Sequence, residues 1–381
     1  MIKKSKKDII KLGTASMFND VGSEMITPLL PLLINSLGGG GVAVGALSGL
    51  REGLASLFRL FGGWISDKTG KKMPFVFFGY FFSVLARLLL SLATSWQYII
   101  ALVSFERFGK IRDAPRDVMI SDLTKRRGEG FGIHQMMDTT GSVIGSILVL
   151  ILFWKLQLSF TTIIIIAGFL SAFSILPLFF VKESKSKSKK MSGNFFKDIK
   201  CLNHNLKYLI LVTSIFTLAN FGLYMFLVLM AKQMTGSVSI GLLLYVLFNI
   251  VWAIFAIPFG DLSDKIGRKT VLMLGYCLFL IINVFMALYQ NFIMLVITFI
   301  LYGLVYACTQ SNQRAYILDL SKGCKGTSLG IYYMVNGLVS IPAGIIAGFF
   351  WNISVHAMFI YLGFMSVSAI IFLIFTKEKI K

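Results

Sequence analysis

Residues 63–72 read GWISDKTGKK and residues 260–269 read GDLSDKIGRK, so one pattern, G-x-x-S-D-K-x-G-[KR]-K, occurs twice. Each copy lies between two apolar runs and therefore reads as a helix end, a tight turn and a cluster of cations, Lys71 and Arg268 among them. Gly63 and Gly260 leave room for close helix packing, while Gly70 and Gly267 permit the positive φ of a turn. Asp67 and Asp264 carry the most information. A carboxylate at the C-terminal end of its own helix sits against the negative end of the macrodipole. It is better placed facing an Arg or a helix N-terminus from elsewhere in the molecule. That makes both aspartates candidate conformational latches. For Asp67 the nearest cation by position is Arg116, and the segment near Thr327 and Ser328 offers a helix N-terminus.

The composition fixes the solvent. Hydrophobic residues make up 56% of the 381, charged residues only 14%, and Phe alone supplies 35. A soluble chain of this length needs far more polar surface. Apolar windows of about 20 residues, the length that crosses a bilayer as a helix, recur throughout. The net charge of +20 is distributed in a way that excludes nucleic acid as its partner. Most Lys and Arg fall in the N-terminal tail, the turns at 67–72, 122–130, 264–269 and 321–325, the stretch 182–207 and the C-terminal tail; the opposite loops hold only Lys155 and Lys232. This is the positive-inside asymmetry, which puts both termini in the cytoplasm and makes the span count even. The first apolar run begins a long span and carries no small-residue cleavage site, so it does not read as a signal peptide. Cys201, Cys277, Cys308 and Cys324 and the three His are scattered, so neither a disulfide framework nor a metal site is expected.

The doubled pattern resembles the signature loop of the major facilitator superfamily, which lies between helices 2 and 3 and again between helices 8 and 9. The resemblance implies an all-α polytopic membrane protein with twelve helices in two pseudo-symmetric six-helix bundles. Apolar runs support spans at roughly 10–35, 42–66, 73–93, 96–120, 131–154, 159–181, 206–231, 238–261, 270–290, 292–318, 328–351 and 354–376. The domain reading is then 1–181, a basic cytoplasmic linker 182–205, and 206–381. The halves repeat further: RDVMISDLTK (116–125) parallels RAYILDLSK (314–322), and GIHQMMD (132–138) parallels GIYYMVN (330–336), which sets Asp138 against Asn336.

The halves differ in charge. Within the first six spans lie Asp20, Glu24, Glu52, Glu106, Asp113, Asp117 and Asp138, matched by Arg51, Arg59, Arg87, Arg107, Lys110, Arg112 and Arg116; the second half has only Arg314 inside its spans. Ionisable groups at bilayer depth need partners or water. In the first span, Asp20 and Glu24 share a face at i, i+4, and Pro28 and Pro31 can bend the helix beyond them. Two close carboxylates suit proton binding, or else pair statically with the fourth span. That fourth span, FERFGKIRDAPRDVMISD, contributes Glu106, Arg107 and Arg112 as cavity candidates and Arg116 to the latch. His134 and Asp138 form another i, i+4 pair, followed by a close-packing face at Gly141 and Gly145. Proton coupling is thus assigned to Asp20, Glu24, His134 and Asp138. In the superfamily, helices 1, 4, 7 and 10 line the cavity, which implies Asn220, Tyr224, Gln310 and Arg314 as substrate contacts. The drug/proton antiporters carry a Gly-Pro-rich motif in helix 5; this chain has no Pro there, which weakens that label.

The sequence therefore reads as a monomeric secondary transporter of the cell membrane, moving a small molecule by alternating access, coupled to protons and directed outward. The alternatives are an uptake symporter or facilitator, and a non-transporting receptor or partner subunit. Its partners are solute, protons and membrane lipid. No cofactor is implied, and the chain shows no nucleophile–base pair of an enzyme.

Overall fold

A computed structural model describes residues 2–123, 127–181, 203–321 and 325–376; the side chains of residues 2–6, 67, 127–130, 132 and 325–327 fall outside that description, as does nearly all of the expected linker. Within hydrocarbon a backbone must satisfy its own N–H and C=O groups, which for a single segment means a helix. The described residues are accordingly helical, without strands. In the first half these are α1 (Ile2–Ile26), α2 (Leu30–Ser36), α3 (Gly41–Thr69), α4 (Met73–Leu90), α5 (Trp96–Phe108), α6 (Asp113–Leu123), α7 (Arg127–Trp154) and α8 (Phe160–Ala172). The second half holds α9 (His204–Ala219), α10 (Tyr224–Thr235), α11 (Val238–Ile266), α12 (Arg268–Leu288), α13 (Phe292–Leu320), α14 (Lys325–Ile353) and α15 (Val355–Ile374).

Each of the twelve expected spans is filled by a helical rod, and four of the rods are interrupted. The first breaks between α1 and α2 at Pro28, with Pro31 in the first turn of α2. In the fourth, a 3₁₀ turn at Gly109–Arg112 separates α5 from α6. A 3₁₀ turn at Leu176–Phe180 ends the sixth. The seventh opens at Asn220–Leu223, where Gly222 has φ +113°. Among the described residues nine rods are long and apolar enough to cross a membrane. The other three are α1–α2, α3 and α5–α6, which hold most of the mid-span charge. Charge lowers their hydropathy without removing them from the bundle.

Contacts divide the chain into two compact units: Met1–Gly38 with Leu54–Ser192, and Gly39–Gly53 with Gly193–Lys381. In the first, α1 lies along α7 and α8 at backbone distance. A Cβ at Gly141 would meet the Met17 carbonyl, one at Gly145 the Val21 carbonyl, and one at Gly22 the Ala167 carbonyl. Such approach maximises dispersion contact where the hydrophobic effect between helices is absent. In the second unit the start of α3 runs antiparallel to α14, with Gly41 against Gly348, Gly45 against Gly344 and Gly49 against Ser340. Helices α11, α12 and α13 pack together around a dense aromatic interior, in which Phe216 stacks on Tyr276 at 3.8 Å.

Candidate functional site

In the first unit, α1, α4, α5–α6 and α7 bring their ionisable side chains into one buried network. Its upper part centres on Glu106, 7% exposed. Arg87 Nη2 donates to Glu106 Oε1 at 2.8 Å, and Arg107 pairs with the other carboxylate oxygen. Arg87 Nη1 also donates to the Asn19 carbonyl (2.8 Å), Asn19 Oδ1 (3.0 Å) and Ser171 Oγ (2.7 Å). Asn19 Nδ2 in turn donates to Asp20 Oδ1 at 3.0 Å, which ties Asp20 to the network through a neutral amide.

The lower part centres on Asp113. Arg59 Nε donates to Asp113 Oδ2 at 3.0 Å, and Lys110, Arg116 and Arg112 lie at 3.7, 3.7 and 3.8 Å. Arg116 reaches Asp117 (3.1 Å), Ser16 Oγ (3.1 Å) and Tyr80 Oη (3.5 Å). Arg112, expected to line a cavity, is 1% exposed. It donates to the Gly79 and Gly109 carbonyls and Ser83 Oγ, with its guanidinium 4.3 Å from the Tyr80 ring centre. It clamps the 3₁₀ turn onto α4 and reaches no aqueous surface in this structure.

On α7, His134 Nδ1 lies 3.3 Å from Asp138 Oδ2. Ser16 Oγ accepts from Arg116 Nη1 at 3.1 Å, so a hydroxyl of α1 meets the cation of α6. Asp138 Oδ1 and His134 Nε2 are buried and have no hydrogen-bond partner among the described residues. Sequence reading passed over Ser16 and Asn19, which are neutral; the only signal for Ser16 is its i, i+4 spacing from Asp20. Glu24 lies half-buried one turn beyond Asp20. In the second unit the residue aligned with Asp138 is uncharged: Ser214 donates to Asn336 Oδ1 at 2.9 Å, and Asn336 also pairs with Thr213.

The second-unit candidates do not form one cluster. Tyr302 donates to Asn220 Oδ1 at 2.6 Å, and the Tyr224 ring lies 5.7 and 6.4 Å from those of Tyr245 and Phe248. Gln310 is exposed and its carbonyl accepts from Arg314 Nε, so this pair is local to α13.

At the repeated loops, Gly70 and Gly267 have φ +68° and +100°, as a turn requires. A Cβ at Gly63 would lie 3.2 Å from Ala114, a close helix contact, whereas one at Gly260 meets nothing within 4 Å among the described residues. Close packing therefore does not explain Gly260. The Asp67 side chain lies outside the described residues, and Lys71 is exposed. Lys72 pairs with Asp122 at 2.6 Å. Asp264 pairs with Arg268 one turn on, and Arg268 also lies 3.4 Å from Asp319. In both units the loop cation therefore meets the carboxylate that ends the fourth span of its bundle.

The comparisons with known proteins agree with this architecture. The family model of the Major Facilitator Superfamily matches residues 12–252 and 209–381. An uncharacterised MFS-type transporter of Methanocaldococcus jannaschii is 43% identical over 378 residues, covering 97% of this chain and 94% of that protein. Multidrug resistance protein MdtH of Photorhabdus laumondii is 32% identical over 144 residues, 37% of this chain and 35% of its own. A solved structure of the nucleoside transporter NupG superposes with a TM-score of 0.82 at 13% identity, over 97% of this chain and all (100%) of that one, which is a likeness of fold. The repeated loop, the twelve rods and matches spanning nearly the whole sequence lead to one conclusion: the chain is a multi-pass membrane transporter belonging to the Major Facilitator Superfamily.

Proposed function

We propose that the chain is a proton-coupled secondary transporter of the cell membrane that exports a small solute by alternating access. The observation that supports this best is the Asp138 carboxylate itself. One of its oxygens lies 3.3 Å from His134 Nδ1 and the other is buried with no hydrogen-bond partner among the described residues. An ionised Asp138 is attracted to Arg116 and holds α7 and α6 against α1. A proton on Asp138 removes that attraction and loosens the contact, so occupancy by a proton biases one arrangement of helices over another. Asp20 and Glu24 on α1, and His134 beside Asp138, extend the route along which a proton moves. Glu106, Arg107 and Arg112 keep the network neutral at depth. Asp67, Gly63, Gly70, Lys71, Asp264, Gly260, Gly267 and Arg268 serve as the cytoplasmic latch, with both termini on the same side. Export is favoured over uptake by the partial likeness to a multidrug resistance protein.

The test is direct. Vesicles containing the purified protein and an internal pH dye are screened against metabolites and drugs. A transported solute should drive a proton flux of opposite sign to its own; solute flux with no pH change would refute the coupling.

A further inference from the structure

Glu52 is absent from the network described above. It lies 11 positions into α3, about 16 Å at the helical rise, or roughly half-way through a ~30 Å hydrocarbon core. It is exposed and makes no ion pair or hydrogen bond with any described residue. An open carboxylate at that depth requires water or a cationic ligand, since hydrocarbon does not tolerate it.

Its surroundings belong to the second unit. One turn before Glu52 on the same face, Ser48 Oγ donates to the Phe221 carbonyl at 2.9 Å, inside the break between α9 and α10. At that break Tyr302 donates to Asn220 Oδ1, which leaves the half-buried Asn220 amide N–H groups without a partner among the described residues. Phe248 lies 5.3 Å from Tyr302, with the rings within 25° of parallel. Phe248 and Tyr302 are 2% and 0% exposed and form the back of an aromatic wall. Half-buried rings adjoin it: Tyr224, 6.4 Å from Phe248, and Trp252 and Tyr306, 5.4 Å apart.

The levels coincide. Helix α3 runs antiparallel to α14, α14 antiparallel to α13, and α13 parallel to α11, so α3, α11 and α13 share one direction. Ser48, Phe248 and Tyr302 stand at the level of the helix break. Glu52, Trp252 and Tyr306 each follow one turn later, toward the same end. A carboxylate and a half-buried aromatic wall are thus brought to one depth beside a discontinuous helix, where transporters commonly place their substrates.

We infer that this part of the second unit binds a planar aromatic cation, its ring on the Tyr224–Trp252–Tyr306 wall and its positive charge at Glu52. Ring faces attract both flat aromatic systems and cations, and a carboxylate selects the cation. This names the substrate class of the transport reading and rests on it only for the claim that the ligand is cargo.

The experiment is equilibrium calorimetry on the purified full chain in detergent, without a pH gradient. Three probes of similar ring size are used: N-methylquinolinium, neutral 2-naphthol and anionic 2-naphthoate. Wild type should bind N-methylquinolinium most tightly. Glu52→Gln should weaken it about tenfold or more while leaving 2-naphthol within a few-fold, Glu52→Asp should retain most of the affinity, and Trp252→Leu should weaken both ring probes. A thermal melt confirms that each variant is folded. The assignment is overturned if wild type fails to bind N-methylquinolinium or prefers 2-naphthoate, or if Glu52→Gln binds the cation as well as wild type. Because no proton gradient enters this measurement, a failure here and a failure of proton coupling are separately visible.

Discussion

Glu106 lies between Arg87 and Arg107 and is ion-paired with both guanidiniums. Breaking a buried pair by neutralising one partner costs about 3–5 kcal/mol, because the other charge stays buried and uncompensated. Glu106→Gln should therefore lower the thermal midpoint in detergent substantially, while Asp319→Asn, whose exposed carboxylate lies 3.4 Å from Arg268, should change it little. Equal midpoints would mean that water, rather than Glu106, compensates the two arginines. At this scale the sequence was informative about which groups are charged and silent about what they meet. The matched acids and bases of the first half pointed to paired networks, and the structure contains them. Ser16 and Asn19 carry no charge and sit in an ordinary helical run, so only the i, i+4 spacing of Ser16 from Asp20 hints at either. Glu52 was hidden by its neighbour Arg51, since adjacent opposite charges read as a pair although they leave a helix about 100° apart.

At the scale of the element, the close approach of α1 to α7 depends on residues without side chains. Gly145 lies against the Val21 backbone carbonyl, which cannot rotate away. Gly145→Leu should separate α1 from α7 and remove transport even where the protein still inserts; Gly363→Ala, whose added carbon would only touch Asn283 at 3.8 Å, should keep its transport. Transport activity measured beside membrane abundance distinguishes the two. The Gly-x-x-x-Gly spacing made this face visible in advance, and Pro28 likewise marked the end of α1. The break at Asn220–Leu223 was not visible. Its residues, Asn-Phe-Gly-Leu, sit in a long apolar run, and the Gly222 backbone is set by the Ser48 contact from a distant helix.

For the whole molecule, hydropathy and the repeated loop were enough to give the class, because a bilayer admits so few architectures. The placement of Lys and Arg supports the proposed orientation. Single cysteines introduced at residues 40 and 236 should react with an impermeant thiol reagent in intact cells, and one at residue 190 should react only after lysis. Labelling of residue 190 from outside would reverse the orientation and make the basic turns extracellular. The repeated stretches of the two halves differ at single positions such as Asp138 and Asn336.

The central claim is that Asp138 couples solute movement to protons. It is tested most directly in proteoliposomes, by comparing wild type with Asp138→Asn in two modes: solute movement driven by an imposed pH gradient, and solute exchange with no gradient. The account predicts that Asp138→Asn loses the gradient-driven movement by at least tenfold while exchange continues within a few-fold of wild type. Gradient-driven movement surviving in Asp138→Asn at the wild-type rate would contradict it.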